Sequence, residues 1–154
     1  MSDLKPFPHV YSVSASATQD SNVELNAARL PFLHSAPPAE FGGPGDHWSP
    51  ETLLAAAVGD CFVLTFRAVA RAAKLPWAAL RCDVTGTLDR VEGVARFTDF
   101  AVSAHLELPA GGNVDAGYAA LEKAKKHCLV SNSLLAASHL KATVHSASTP
   151  VAAA

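Results

Sequence analysis

Ser49-Pro50-Glu51-Thr52-Leu53-Leu54-Ala55-Ala56-Ala57-Val58-Gly59-Asp60-Cys61-Phe62 is the stretch that decides the fold. Ser49 is a natural N-cap, Pro50 fits the first helical position, and Glu51 puts negative charge where the helix dipole favours it. From residue 53 to residue 68 every position except Asp60, Thr65 and Arg67 is apolar or glycine. So apolar a helix predicts a central, enclosed position, running to about Lys74 with Pro76 as its stop. Gly59-Asp60 interrupts the apolar run, which therefore reads as too short to span a bilayer.

On the N-terminal side, Tyr11 to Thr18 alternates small or apolar residues with Ser and Thr, the period of a half-buried strand. Gln19-Asp20-Ser21-Asn22 is turn chemistry, and Val23 to Ala28 predicts a return strand. Ser35 to Trp48 carries Pro37, Pro38, Gly42, Gly43, Pro44 and Gly45 and reads as a long loop. On the C-terminal side, Ala78 to Leu108 predicts two long strands around a Val91-Glu92-Gly93 turn. Leu80, Cys82 and Val84 line the apolar face of the first, and Phe100, Val102, Ala104, Leu106 and Leu108 that of the second. A helix follows from about Val114 to Cys128, with an apolar stripe of Val114, Tyr118, Leu121, Ala124 and Cys128. A short helix over 131–137, a strand from Leu140 to about Ser146 and a frayed tail from Ser148 complete the reading.

The 154 residues are 49% hydrophobic and 17% charged, which excludes a disordered or fibrous chain. Twelve basic residues against fourteen acidic ones give a formal charge of −2, without the basic surplus that nucleic-acid binding calls for. Three cysteines cannot build a disulfide framework and suit a reducing compartment. The first thirty residues lack the charged and apolar regions of a signal peptide. The expectation is a single domain over 1–154, ordered from about 9 to 147, cytoplasmic and not membrane-bound.

Cys61 and Cys128 lie on apolar faces of predicted buried helices, and Cys82 lies in mid-strand. Free cysteine is among the most buried residue types, so each can be read simply as a small hydrophobe. His47, His127, His139 and His145 lack the spacing of a metal site, so neither a metal nor a cofactor is expected. Two motifs shift the reading of the first two cysteines. Ser49 to Phe62 resembles the first signature of the OsmC/Ohr family of thiol-dependent hydroperoxide-handling proteins. Lys125-Lys126-His127-Cys128-Leu129-Val130-Ser131-Asn132-Ser133-Leu134 resembles its second. The likeness covers about Val10 to Ser146.

The resemblance implies an α+β fold, with a curved antiparallel sheet around the enclosed helix, built as an intertwined homodimer. It also implies that Cys61 is the thiol oxidised by an organic hydroperoxide, Cys128 the resolving thiol and Glu51 the acidic site residue, with a dithiol reductant resetting the pair. Leu54, Val58, Phe62 and Leu64 would then favour an apolar substrate pocket. A helix C-terminus disfavours a thiolate, which argues against Cys128 as the attacking group. A break at Gly59-Asp60 would instead put Cys61 near a helix start. Glu51 lies ten residues before Cys61, about 15 Å along a straight helix, so it serves that thiol only through such a break or from the other subunit.

Two departures stand out. The family's peroxidases carry an Arg in the turn after the first strand, where this chain reads Thr18-Gln19-Asp20-Ser21-Asn22, with Arg29 the nearest. Leu129 stands where many members have Pro. Without the Arg a thiolate loses its main electrostatic support. That keeps open a small-molecule-binding or redox-sensing protein with weak or no peroxidase activity.

Overall fold

Ser49 caps the long helix reciprocally with Thr52. The Ser49 amide donates to Thr52 Oγ1 at 2.8 Å and the Thr52 amide to Ser49 Oγ at 3.2 Å, a capping box with Thr in the third position. The helix, α1, then runs without interruption over Pro50–Ala72. Lys74 turns left-handed (φ 52°) beyond its end, and the Leu75 amide reaches back to the Ala70 carbonyl at 2.9 Å, closing the helix before Pro76.

The computed structural model describes residues 4–148, so the tail expected to fray lies almost wholly outside the described residues. The chain divides into two units, Met1–Leu53 and Leu54–Ala154. The first holds an antiparallel sheet of three short strands, β1 (Ser14–Ser16), β2 (Val23–Asn26) and β3 (Leu33–Ser35), in the order β1-β2-β3. The loop expected from Ser35 to Trp48 is present and holds one 3-10 turn, Ala39–Phe41. It is tied down where Ser35 bridges to Trp48 and the Ala36 amide donates to the Trp48 carbonyl at 2.9 Å.

The second unit holds β4 (Ala79–Val91) and β5 (Val94–Leu108), a hairpin closed by Glu92 and Gly93 at φ 50° and 83°. Two consecutive positive φ values give the turn that matches strand twist. Helices α2 (Val114–His127) and α3 (Leu129–Asn132) lead to β6 (Ala137–Ser146). These strands form a second sheet, β4-β5-β6. The sequence reading of one curved antiparallel sheet is therefore corrected twice: the strands form two sheets, and β6 runs parallel to β5. The reason is the α2–α3 crossover, which returns the chain to the end from which β5 set out. The short helix is likewise earlier than expected, because residues 137–139 extend β6 in register with Asp99 to Ala101.

The inner face of this sheet carries rows of paired side chains, among them Leu80–Leu106–Val144 and Cys82–Ala104–Ala142. Helix α1 lies over it through a buried stripe of Val58, Phe62, Phe66 and Ala70, spaced by four. The stripe is one face of α1, which was expected to be enclosed on every side, and Leu64 is 50% exposed. At 23 residues, with an 18-residue stretch of mean hydropathy 1.8, α1 has the length and composition to cross a membrane, contrary to the sequence reading. The buried stripe marks it as a core helix. Helix α2 packs over β5 and β6 through Gly117, Ala120, Leu121 and Ala124, a stripe rotated from the expected one, and Tyr118 is 39% exposed. Gly117 sets this rotation, since a Cβ there would meet Val144 at 2.9 Å and Leu106 at 3.2 Å.

Gly86 lies under the stacked rings of Phe97 and Phe100, whose centroids are 4.9 Å apart. A Cβ at Gly86 would meet both rings within 3.0 Å, beside the register shift at Thr87/Leu88. Gly86→Ala should therefore destabilise the fold by about 1–3 kcal/mol in urea melts. Unchanged stability would mean that the ring pair gives way freely.

Candidate functional site

Cys61 sits in the middle of α1, one position before Phe62 and so at the edge of the buried stripe. Its thiol is partly exposed and lies 3.9 Å from Thr65 Oγ1, one turn on. The break expected at Gly59-Asp60 does not form, so Cys61 lies in mid-helix and not at a new helix start within α1. Gly59 has another role. A Cβ there would meet Val84 Cγ2 at 3.2 Å, so the glycine lets α1 approach β4 closely.

Cys128 lies where α2 ends and α3 begins, in extended backbone, and is 1% exposed. The Ser131 hydroxyl donates to its sulfur at 3.3 Å, and its own thiol points to the Val58 carbonyl at 4.0 Å. Burial pushes the Cys128 thiol up, the Ser131 hydrogen bonds oppose that shift, and the neighbouring Cys61 thiol adds to it. The structure thus brings together the two cysteines that 67 positions of sequence separate. Cys82 lies on β4, among the residues packed against the core. Read from the sequence as inert packing, it faces inward against the same core, and its signal was the alternation of β4.

Glu51 occupies the first turn of α1, and its Oε2 is buried without a hydrogen-bond partner among the described residues. With α1 unbroken, its ten-residue separation from Cys61 is a rise of about 15 Å, which closes the route through a helix break. Among the described residues the ion pairs are Asp46–His47, Arg81–Asp83 and Asp99–His139, so no Arg or Lys pairs with Glu51. Val58 and Phe62, expected to line a substrate pocket, are committed to the core, which leaves Leu54 and Leu64 from that set. No group of three His, Cys, Asp or Glu side chains among the described residues is arranged to hold a metal ion.

Residues 43–143 match the protein family described as OsmC-like protein. The chain belongs to the OsmC-like family. A comparison with curated proteins gives no match. Among solved structures, an OsmC-like protein of unknown function from Vibrio cholerae superposes with a TM-score of 0.80 at 12% identity, covering 88% of this chain and 100% of that one. An organic hydroperoxide resistance protein OsmC from Legionella pneumophila gives 0.69 at 26% identity, over 90% of this chain and 98% of that one. An organic hydroperoxide resistance protein from Elizabethkingia anophelis gives 0.71 at 22% identity, over 92% and 100%. The mixed α+β fold of two sheets and three helices is thus an OsmC-like one.

The pH response of this OsmC-like chain follows from its buried thiols. Burial pushes Cys82 up to about 11 from an ordinary 9.0, with the Asp83 charge and then Cys128 adding to the effect. The folded state holds this proton more tightly than the unfolded one. The associated stability is complete below about pH 9 and is lost as pH rises toward about 11. In urea melts across that window Cys82→Ala should show a shallower decline than the wild type. Parallel declines would mean that Cys82 is not the titrating group.

Proposed function

We propose that this protein is a thiol peroxidase for organic hydroperoxides, in which Cys61 is oxidised and Cys128 resolves. One observation carries the reading: a partly exposed thiol on α1 neighbours a buried thiol at the α2–α3 junction. Attack on a hydroperoxide needs a thiolate that the substrate can reach, which favours Cys61. The Cys61 thiolate takes the distal oxygen, the O–O bond breaks, and the alcohol leaves with a proton. The Cys61 sulfenic acid then condenses with the Cys128 thiol, releasing water and forming the disulfide. A dithiol reductant returns both to thiols. The three free cysteines fit a reducing, cytoplasmic setting.

In this reading the chain works as a homodimer. Val13, Leu30 and Phe32 are exposed around an apolar concavity of about 390 Å³ in the N-terminal unit, and the uncovered side of α1 exposes Leu64. A second copy burying such surfaces would also be the remaining source of a carboxylate for Cys61, because Glu51 does not reach it along α1. Light scattering at micromolar concentration should give twice the chain mass, and a stably folded monomer would overturn the dimer.

Cys61→Ser should abolish hydroperoxide consumption. Cys128→Ser should undergo the first oxidation and then climb from sulfenic to sulfinic acid, for want of a resolving partner. Mass spectrometry after one equivalent of cumene hydroperoxide distinguishes these outcomes. Consumption by Cys61→Ser at the wild-type rate would overturn the peroxidase reading. A binding or redox-sensing role with weak turnover is the second reading, favoured by Glu51 Oε2, which has no cation beside it. Thiol loss in stopped flow no faster than that of a free thiol would select it.

A further inference from the structure

Ser131, Asn132 and Ser133 stand in a row after Cys128, and they spend their side chains differently. Asn132 Nδ2 donates to the Lys126 carbonyl at 3.1 Å, and Ser133 Oγ to the Leu129 carbonyl at 2.7 Å. Both serve backbone groups at the α2–α3 junction. The Asn132 amide donates to the Cys128 carbonyl at 3.0 Å, closing the turn that sets residue 131 beside residue 128. Ser131 instead gives its hydroxyl to Cys128 Sγ at 3.3 Å, although a neutral thiol is a weak acceptor. The thiol's own proton points to the Val58 carbonyl at 4.0 Å, so losing that proton leaves the Ser131 contact in place.

The contact is worth more to a thiolate than to a thiol. Hydrogen bonds to an ionised acceptor are roughly twice as strong as those between neutral groups. The titratable groups that act on Cys128 or feel its charge are the thiols of Cys61 on α1 and Cys82 on β4, and neither supplies positive charge. Burial opposes ionisation of Cys128, and the Ser131 hydrogen bonds favour it.

We propose that Ser131 is a catalytic residue of the resolving step, its hydroxyl holding Cys128 as a thiolate whenever that sulfur enters or leaves the disulfide. The proposal rests on the thiol peroxidase reading, in which Cys128 condenses with the Cys61 sulfenic acid. Cys128 gives up its proton, the thiolate attacks Cys61 Sγ, and the S–S bond forms as the S–O bond breaks. The hydroxide that departs takes up a proton and leaves as water. No outside oxidant is needed, because the hydroperoxide has already removed the two electrons. When a dithiol reductant later attacks Cys61 Sγ, the electron pair leaves on the Cys128 sulfur, and the same hydroxyl receives it. Cys128 titrates above its ordinary 9.0, so at neutral pH the gain in thiolate outweighs the loss of nucleophilicity.

The test follows single-turnover disulfide formation after one equivalent of cumene hydroperoxide, with acid quenching and mass spectrometry. Wild type, Ser131→Ala and Ser131→Thr are compared across pH. In Ser131→Ala, Cys61 should be oxidised at the wild-type rate, while the Cys61–Cys128 disulfide forms about tenfold more slowly at neutral pH. Its rate should also climb only at higher pH than in the wild type, because the thiolate has lost its donor. Ser131→Thr keeps the hydroxyl and should restore both rate and profile. A wild-type rate and profile in Ser131→Ala overturn the proposal and leave the peroxidase reading standing. A slower rate with an unchanged profile marks a structural role and overturns it as well. A wild type that forms no Cys61–Cys128 disulfide overturns both. If Ser131→Ala folds poorly, Ser131→Val replaces it, with the shape of threonine and no hydroxyl. Equal rates in the valine and threonine variants then overturn the proposal.

Discussion

The stripe of Val58, Phe62, Phe66 and Ala70 against the inner face of β4-β5-β6 is the constraint on which the second unit depends. Spacing by four keeps the stripe on one side of α1, and burying it fixes the rotation of the helix about its axis. That rotation decides the standing of Cys61. One position before Phe62, it lies at the stripe's edge, packed against the core yet open to solvent. Gly59 makes the same geometry possible, since its missing side chain lets Val84 approach.

Cys128 depends on a second packing event. Gly117 seats α2 against Val144 and Leu106, and the helix then delivers its C-terminal residue into the core rather than to the surface. The chain turns there into α3, and the Ser131 hydroxyl reaches back to the Cys128 sulfur. Burial pushes this thiol up, and the Ser131 hydrogen bonds oppose that shift. The two thiols thus differ in exposure, which packing decides. Cys61 lies in mid-helix, and α3 is a single turn.

Glu51 shows the opposite case, a side chain whose local role is clear and whose partner is not within its own helix. Its position in the first turn satisfies the α1 dipole, while Oε2 stays buried and unpaired among the described residues. A buried, unpartnered carboxylate oxygen is costly unless a donor completes it. Val13, Leu30, Phe32 and Leu64 are exposed apolar side chains of the same chain.

Local chemistry by itself determined much of this protein. The Ser49 cap, the α1 helix, the Glu92-Gly93 turn and the alternation of β4 and β5 depend on neighbours a few residues away, and all are legible in the sequence. The paired motifs around Cys61 and Cys128 identified the family. Tertiary structure decided the rest. Gly59 reads as a helix break in sequence because its close contact, Val84, lies 25 positions away. The stripe of α2 holds Leu121, Ala124 and Cys128 as expected, but Gly117 and Ala120 take the place of Tyr118, because Gly117 packs where a larger side chain would clash. The parallel course of β6 follows from a crossover, which no alternation pattern records.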